Sequence, residues 1–258
     1  MSSNPYRRST AMSIQYTERG TGRPVLLLHG GAGPASVTGF ADRFAAEHPV
    51  RVITPTHPGF DGTERPAGIA GVKDLAAAYH AFLDELDLHD VVVVGNSIGG
   101  WIAAELAILD SPRIGALVIV DGVGIEVEGH PVADFFNLSF PQIAAASYYD
   151  PTGRVIDPGA MPEAARAAMA GNRATLEAYA GRPSMVDPTL RGRLVAVHKP
   201  ALVVWGDSDG IADPGYGRAF AAALPKSDFV VLERTGHLPQ LESPEALLGA
   251  LWTFIEAS

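Results

Sequence analysis

The sequence predicts an α/β fold organised on a parallel sheet, and three observations carry that expectation. Val91-Val92-Val93-Val94 is a run of β-branched residues closed by Gly95, the pattern of a strand covered on both faces in the middle of a sheet. From Ile98 to Leu109 only Glu105 interrupts an apolar or small surface, so a helix hydrophobic nearly all round follows that strand and must lie inside the protein. Strand-like and helix-like stretches alternate sharply as far as Asp121 and resume after Val197, while the residues between are alanine-rich helices separated by Pro and Gly.

In chain order, Met12 to Glu18 alternates weakly and reads as a strand, Gly20-Thr21-Gly22 turns it, and Val25 to Leu28 reads as a buried strand. A glycine-rich loop, His29-Gly30-Gly31-Ala32-Gly33-Pro34, comes next. A helix is expected over Ala41 to Ala46 and a strand over Val50 to Pro55. On the loop after it, His57 stands in a Pro-Gly turn, which points to a structural hydrogen bond and not to a catalytic base. Val72, Leu75, Ala76, Tyr79, Phe82, Leu83 and Leu86 fall at helical spacing and lead into Val91. Ile114 to Val120 is the next strand.

The chain then divides into a core of residues 1–121 and 198–258 and a helical insertion, 122–197, expected to act as a cap. Phe135, Phe136, Leu138, Phe140, Tyr148, Tyr149, Met161, Met169, Tyr179 and Met185 make the insertion rich in large apolar side chains. Most of them serve its own core, and a lid over a site turns some inward; Phe135, Phe136 and Phe140, with Leu238, are the candidate substrate-binding residues. Ala201 to Trp205 and Phe229 to Leu232 are the last strands. Ser243-Pro244-Glu245 opens a terminal helix with an N-cap and a proline in its first turn, and Leu247, Leu248, Leu251, Phe254 and Ile255 seat it on the core.

Between the valine strand and the buried helix sits Gly95-Asn96-Ser97-Ile98-Gly99. A serine on a sharp strand-to-helix turn is held in a strained backbone, and the residues two before and two after must be small for the elements to approach. The turn lifts the Ser97 hydroxyl clear of the sheet and aims the Ile98 amide, at the helix N-terminus, at the same point.

With this elbow the sequence resembles the α/β-hydrolase superfamily, from about Ser13 to the C-terminus and most weakly between about Gly129 and Val197. The resemblance implies an eight-stranded, mostly parallel sheet with helices on both faces, and a nucleophile, acid and base in that chain order. The superfamily usually opens with a longer hairpin, so a first strand here has to come from about Tyr6 to Thr10 or be missing. The loop at His29 resembles the oxyanion loop, in which Gly31 supplies the second N–H beside Ile98. The acid falls three residues past Gly206, on Asp209, with Asp207 expected as a turn residue, Asp213 as an N-cap, and Asp121 as an outside candidate. His237, in Thr235-Gly236-His237-Leu238-Pro239, holds the place of the base.

Ser97, Asp209 and His237 then form a catalytic triad that transfers an acyl group to water. A serine nucleophile separates the chain from the haloalkane dehalogenases and epoxide hydrolases of the same fold. Gly95-Asn96-Ser97-Ile98-Gly99-Gly100 also looks like the carbon-carbon bond hydrolases that cleave vinylogous diketones. Those commonly place tryptophan after the histidine, where this chain has Leu238, and the insertion offers no clearly assigned basic residue for a substrate carboxylate. A small, largely apolar ester or lactone is therefore the expected substrate, ahead of carbon-carbon hydrolysis. A ligand receptor without turnover, or a cofactor-free perhydrolase or acyltransferase, are readings of other classes.

Composition bounds the rest. With 258 residues the chain fits one domain with an insertion. It has no cysteine, which excludes disulfides, thiolate metal sites and a cysteine nucleophile. A net charge of −10 argues against binding nucleic acid. The longest apolar runs are strand-sized, so no membrane partner is expected, and Arg7 and Arg8 lack the apolar segment of a secretory signal behind them, making the cytoplasm the expected location. No cofactor is called for, no metal is implied, a small molecule is the expected partner, and the oligomeric state is left open.

Overall fold

The computed structural model of the protein describes residues 7–8, 14–182 and 185–258. Eight strands form one sheet in the order β1-β2-β4-β3-β5-β6-β7-β8. They are β1 (Arg7–Arg8), β2 (Gln15–Gly20), β3 (Arg23–Leu28), β4 (Val50–Pro55), β5 (Val91–Asn96), β6 (Ile114–Val120), β7 (Ala201–Gly206) and β8 (Ser227–Leu232). β1 and β2 pair antiparallel with their neighbours, and every pairing from β4 through β8 is parallel. The expected opening strand is thus present as Arg7–Arg8, paired with Tyr16 and Gln15; Tyr6, Ser9 and Thr10 lie outside the described residues. The second strand runs later than its weak alternation suggested, because its register is set by β4, from Tyr16 opposite Pro55 to Gly20 opposite Arg51; Met12 and Ser13 lie outside the described residues.

The two-residue period of the strands sorts the core into two layers. Val25, Leu27, Val52, Val92, Val94, Val118 and Val204 face α1 (Ala35–Glu47) and the terminal helix Pro244–Ala257. Leu26, Leu28, Val91, Val93, Leu117, Ile119 and Val203 face α2 (Val72–Glu85), α3 (Ile98–Ile108) and the helix Pro214–Ala223. β5 is buried along its whole length, and α3 is buried from Ile98 to Ala107, as its sequence requires. The single charge on α3, Glu105, is met by both terminal nitrogens of Arg193 at 2.6 Å, which satisfies a carboxylate that is otherwise out of water.

α1 begins six residues before the expected Ala41, at Ala35, directly after the turn in which Gly33 N–H donates to Gly30 O at 3.1 Å. Residues 122–197 hold α4 (Phe140–Ser147), α5 (Glu163–Ala180) and α6 (Leu190–Arg193), joined by short 3₁₀ turns. α7 (Pro214–Ala223), α8 (Pro239–Glu242) and α9 (Pro244–Ala257) complete the chain. Among the described residues no helix is long and apolar enough to cross a membrane.

Candidate active site

The carboxyl ends of four adjacent strands carry the candidate residues, the usual place for a site on a parallel sheet. Ser97 follows β5, Asp121 follows β6, Asp209 lies beyond β7 and His237 beyond β8. Ser97 has φ 56° and ψ −121°, a conformation that a residue with a Cβ adopts only under constraint. The constraint is visible: Ser97 N–H donates to Val120 O at 3.0 Å, while its carbonyl accepts from Gly100 N at 2.9 Å and Val123 N at 3.2 Å. The small residues on either side are required by the approach of backbone to backbone. A Cβ on Gly95 would lie 2.1 Å from the Gly99 carbonyl oxygen, and one on Gly99 would lie 2.3 Å from that of Leu28.

Asp209 and His237 meet in the interior. His237 Nδ1 and Asp209 Oδ2 are 2.8 Å apart, and both residues are buried. The other carboxylate oxygen accepts from Ile211 N at 2.8 Å and Ala212 N at 3.1 Å, so three donors hold Asp209 as an anion. With Nδ1–H directed at Asp209, the imidazole keeps Nε2 free to take a proton. Asp207 is a turn residue as expected, accepting from Ser208 Oγ at 2.7 Å and Thr235 N at 3.2 Å. Asp213 caps α7, accepting from Gly215 N at 2.7 Å and Tyr216 N at 3.1 Å. Ser243, read as an N-cap, makes no capping bond; its hydroxyl lies 2.6 Å from that of Thr235 and braces the His237 loop instead.

Sequence reasoning passed over Asn96. Its side chain donates to Val120 O at 3.2 Å and His237 O at 3.1 Å and accepts from Gln240 Nε2 at 3.3 Å, so the residue before the serine cross-links the elbow to the histidine loop. An amide ending an all-valine strand was the available signal. Residues 146 and 147 contribute too: Ser147 O accepts from His237 N at 2.8 Å, and Ala146 O accepts from Gly210 N at 2.8 Å.

The glycine loop lies against the elbow, since a Cβ on Gly30 would stand 3.2 Å from Ser97 Cβ. Ile98 N–H opens α3, where a helix leaves its first donors without an internal acceptor. The C-terminal half of α5 fastens the Gly31 loop and the loop after β4 through one helical stripe. Asn172 Oδ1 accepts from Asp61 N at 2.7 Å, Asn172 Nδ2 donates to Ala32 O at 3.4 Å, Thr175 donates to Gly59 O at 2.9 Å, and Tyr179 donates to Pro58 O at 2.8 Å. Leu176 packs on Gly31, whose added Cβ would come within 2.6 Å of it.

His57 has the structural role expected of it. Its Nε2 donates to His29 O at 2.9 Å and its Nδ1 accepts from the Tyr79 hydroxyl at 2.5 Å; His29 Nδ1 donates to Gly30 O at 2.7 Å and its Nε2 accepts from His57 N at 3.1 Å. Both nitrogens of His29 are satisfied only in the neutral form, because its Nε2 faces a backbone N–H. Burial, and then the neighbouring His57, holds His29 well below its ordinary pKa, and burial pushes His57 down to about 4. Unfolded histidine titrates near pH 6.5, so the unfolded chain takes up protons first as the pH falls. The stability tied to these rings is therefore complete above about pH 6.5 and is lost as the pH drops toward 4, by about 3 kcal/mol for His57 alone. Thermal melts across that window should show a falling Tm, and a shallower fall in His57→Asn.

The substrate-binding candidates are spread over this region. Phe135 and Phe136 form a 3₁₀ turn with their rings 5.6 Å apart; Phe136 is buried, with the guanidinium groups of Arg173 and Arg182 over its ring. Phe140 opens α4, and Leu238 follows His237; both are partly exposed. Among the described residues Asp121, Asp209 and His237 offer ligand atoms within 4.8 Å of one another. A cation there would have to break the 2.8 Å bond between Asp209 and His237, so the set suits proton handling better than metal binding.

Known proteins agree with this architecture. A 2-hydroxy-6-oxononadienedioate/2-hydroxy-6-oxononatrienedioate hydrolase of Burkholderia vietnamiensis is 29% identical over 94% of this chain and 90% of its own length. Lipase 3 of a Moraxella species is 26% identical over 86% of this chain and 74% of its own. The solved structure of a serine hydrolase involved in carbazole degradation superimposes with a TM-score of 0.76 at 24% identity, over 98% of this chain and 99% of that one, which attests the fold. The family model described as "Alpha/beta hydrolase family" matches residues 25–250, and the chain belongs to that family.

Proposed function

We propose that the protein is a serine hydrolase that cleaves a small, largely apolar ester or lactone through an acyl-enzyme, with Ser97 as nucleophile, His237 as base and Asp209 as the acid that orients it. The buried His237–Asp209 hydrogen bond at 2.8 Å, on a loop that Asn96 ties to the elbow carrying Ser97 at positive φ, is the observation that carries this reading. His237 Nε2 takes the hydroxyl proton as Ser97 attacks the carbonyl carbon, then returns it to the leaving group. Water repeats the cycle on the acyl-enzyme. The Ile98 and Gly31 amides stabilise the oxyanion, each such donor being worth roughly 10²–10³ in rate.

Residues 122–197 act in this reading as the cap, with Phe135, Phe136, Phe140 and Leu238 as the apolar wall of the acyl site. Four of its arginines already hold other groups. Arg173 donates to the Phe135 and Phe136 carbonyls at 3.2 and 2.7 Å, Arg182 pairs with Glu177, Arg166 donates to Pro158 O, and Arg154 lies over the Tyr148 ring. A substrate carboxylate would lose its hydration and find these cations engaged.

Carbon-carbon bond hydrolysis is the second reading, favoured by relatives such as the Burkholderia enzyme that match almost the whole chain. A panel of short aliphatic esters, phenylacetyl esters, lactones and a ring-fission dienoate separates the two. Higher kcat/KM on the esters or lactones is expected; preference for the dienoate, lost in Arg173→Ala or another of the four arginine variants, would replace the ester reading and keep the triad.

A further inference from the structure

Asp121 is the buried acid that the hydrolytic mechanism leaves without a task. It follows β6, which lies between the strand that leads to Ser97 and the strand that leads to Asp209, and its side chain is fully buried. Its backbone has φ 45° and is held by a bond from its own N–H to Val204 O at 3.0 Å. Oδ1 accepts from Gly206 N at 2.8 Å, while the buried Oδ2 has no hydrogen-bond partner among the described residues when the carboxyl is taken as ionised. A buried acceptor left unmatched is costly, and in native proteins it calls for an explanation.

The explanation lies in its neighbours. One ligand atom each from Asp121, Asp209 and His237 falls within a 4.8 Å span. Two carboxylates so close and so dry cannot both be charged. Three donors stabilise Asp209 as an anion and only one serves Asp121, so the shared proton belongs on Asp121. Burial first, and then the charge of Asp209, drives the Asp121 pKa well above the ordinary carboxyl range. The ionisable groups facing it are Asp209, on the loop after β7, and His237, on the loop after β8. From β5 the side chain bonded to this end of β6 is the uncharged Asn96.

We propose that Asp121 stands as a neutral carboxylic acid whose Oδ2–H is directed at the Asp209 carboxylate, making it a positioning residue that limits how strongly Asp209 holds the His237 imidazolium. A proton donated to Asp209 draws off part of its charge. Asp209 then holds a charged His237 ring less strongly. This inference rests on the triad reading above.

The test uses Asp121→Asn and Asp121→Gly, both of which tolerate the positive φ. Asparagine reproduces the neutral acid, its amide N–H toward Asp209 and its oxygen toward Gly206 N; glycine removes the donor. Asp121→Asn is expected to keep kcat/KM within about threefold, with the acidic limb of the pH profile in place. Asp121→Gly is expected to move that limb upward by about one pH unit. Infrared spectroscopy of the wild type near neutral pH should show the C=O stretch of a protonated carboxyl that Asp121→Asn lacks. Inactivation of Asp121→Asn, an unmoved limb in a folded Asp121→Gly, or absence of that band would each overturn the proposal. If Asp121→Gly does not fold, the band and Asp121→Asn decide. An unimpaired Asp209→Asn would instead overturn the triad reading itself.

Discussion

Ser97→Ala is expected to lose ester turnover by roughly 10⁴–10⁶-fold while melting at the wild-type temperature. Alanine keeps the Cβ, so the strained φ of 56° and the backbone bonds to Val120, Gly100 and Val123 are unaffected, and only the nucleophilic oxygen disappears. Neighbouring glycines behave differently: any Cβ at Gly95 or Gly99 drives into backbone carbonyl oxygen, so a change there perturbs the fold and cannot report on chemistry. Steady-state assays on a p-nitrophenyl ester, with thermal melts as control, decide the matter. Retention of more than about a tenth of the rate would remove the serine from the mechanism, because deletion of a nucleophile should cost several orders of magnitude.

Asp209→Asn is expected to lower kcat by roughly 10⁴-fold. The carboxylate accepts from His237 Nδ1 and from two backbone amides; an amide side chain cannot accept all three bonds and presents a donor to the imidazole or to the Ile211 and Ala212 N–H groups. The imidazole is then fixed in the wrong tautomer or released. Asp207→Asn and Asp213→Asn should stay within about tenfold, since their carboxylates serve a turn and the cap of α7. Should either of these, or Asp121→Asn, prove to be the damaging change, the acid of the mechanism lies elsewhere than on Asp209.

Much of the carboxyl end of the sheet was legible because its signals are local. Four valines next to a glycine can be little else than a buried strand, and a helix with one charge in twelve residues has to be interior. The glycines at 95 and 99 on either side of Ser97 follow from sterics, since a Cβ at either would lie 2.1 or 2.3 Å from a backbone carbonyl oxygen. Asp213 before Pro214 was readable for the same reason, as its cap role depends on residues two and three positions on, whereas the partners that give His57 its role, His29 and Tyr79, lie 28 and 22 positions away. Element limits were less legible. β2 is placed by β4, and α1 starts at Ala35 although no side-chain cap announces it, so neither boundary has a local cause.

The sequence by itself determined the family and the α/β architecture, since strand periodicity, a buried helix and a glycine-flanked serine act over a few residues. Only the tertiary structure decided how those residues are held. Asn96 ties the elbow to the His237 loop, Ala146 and Ser147 brace the Asp209 and His237 loops, and one face of α5 secures the Gly31 loop. These bonds join residues from 64 to 141 positions apart, and one short polar group looks like any other until the chain brings its partner within hydrogen-bond reach. The two carboxyls of Asp121 and Asp209 make the same point electrostatically. Each is an ordinary acid at the end of a strand in the sequence, and the repulsion that forces a proton onto one of them exists only once neighbouring strands place them together, out of water.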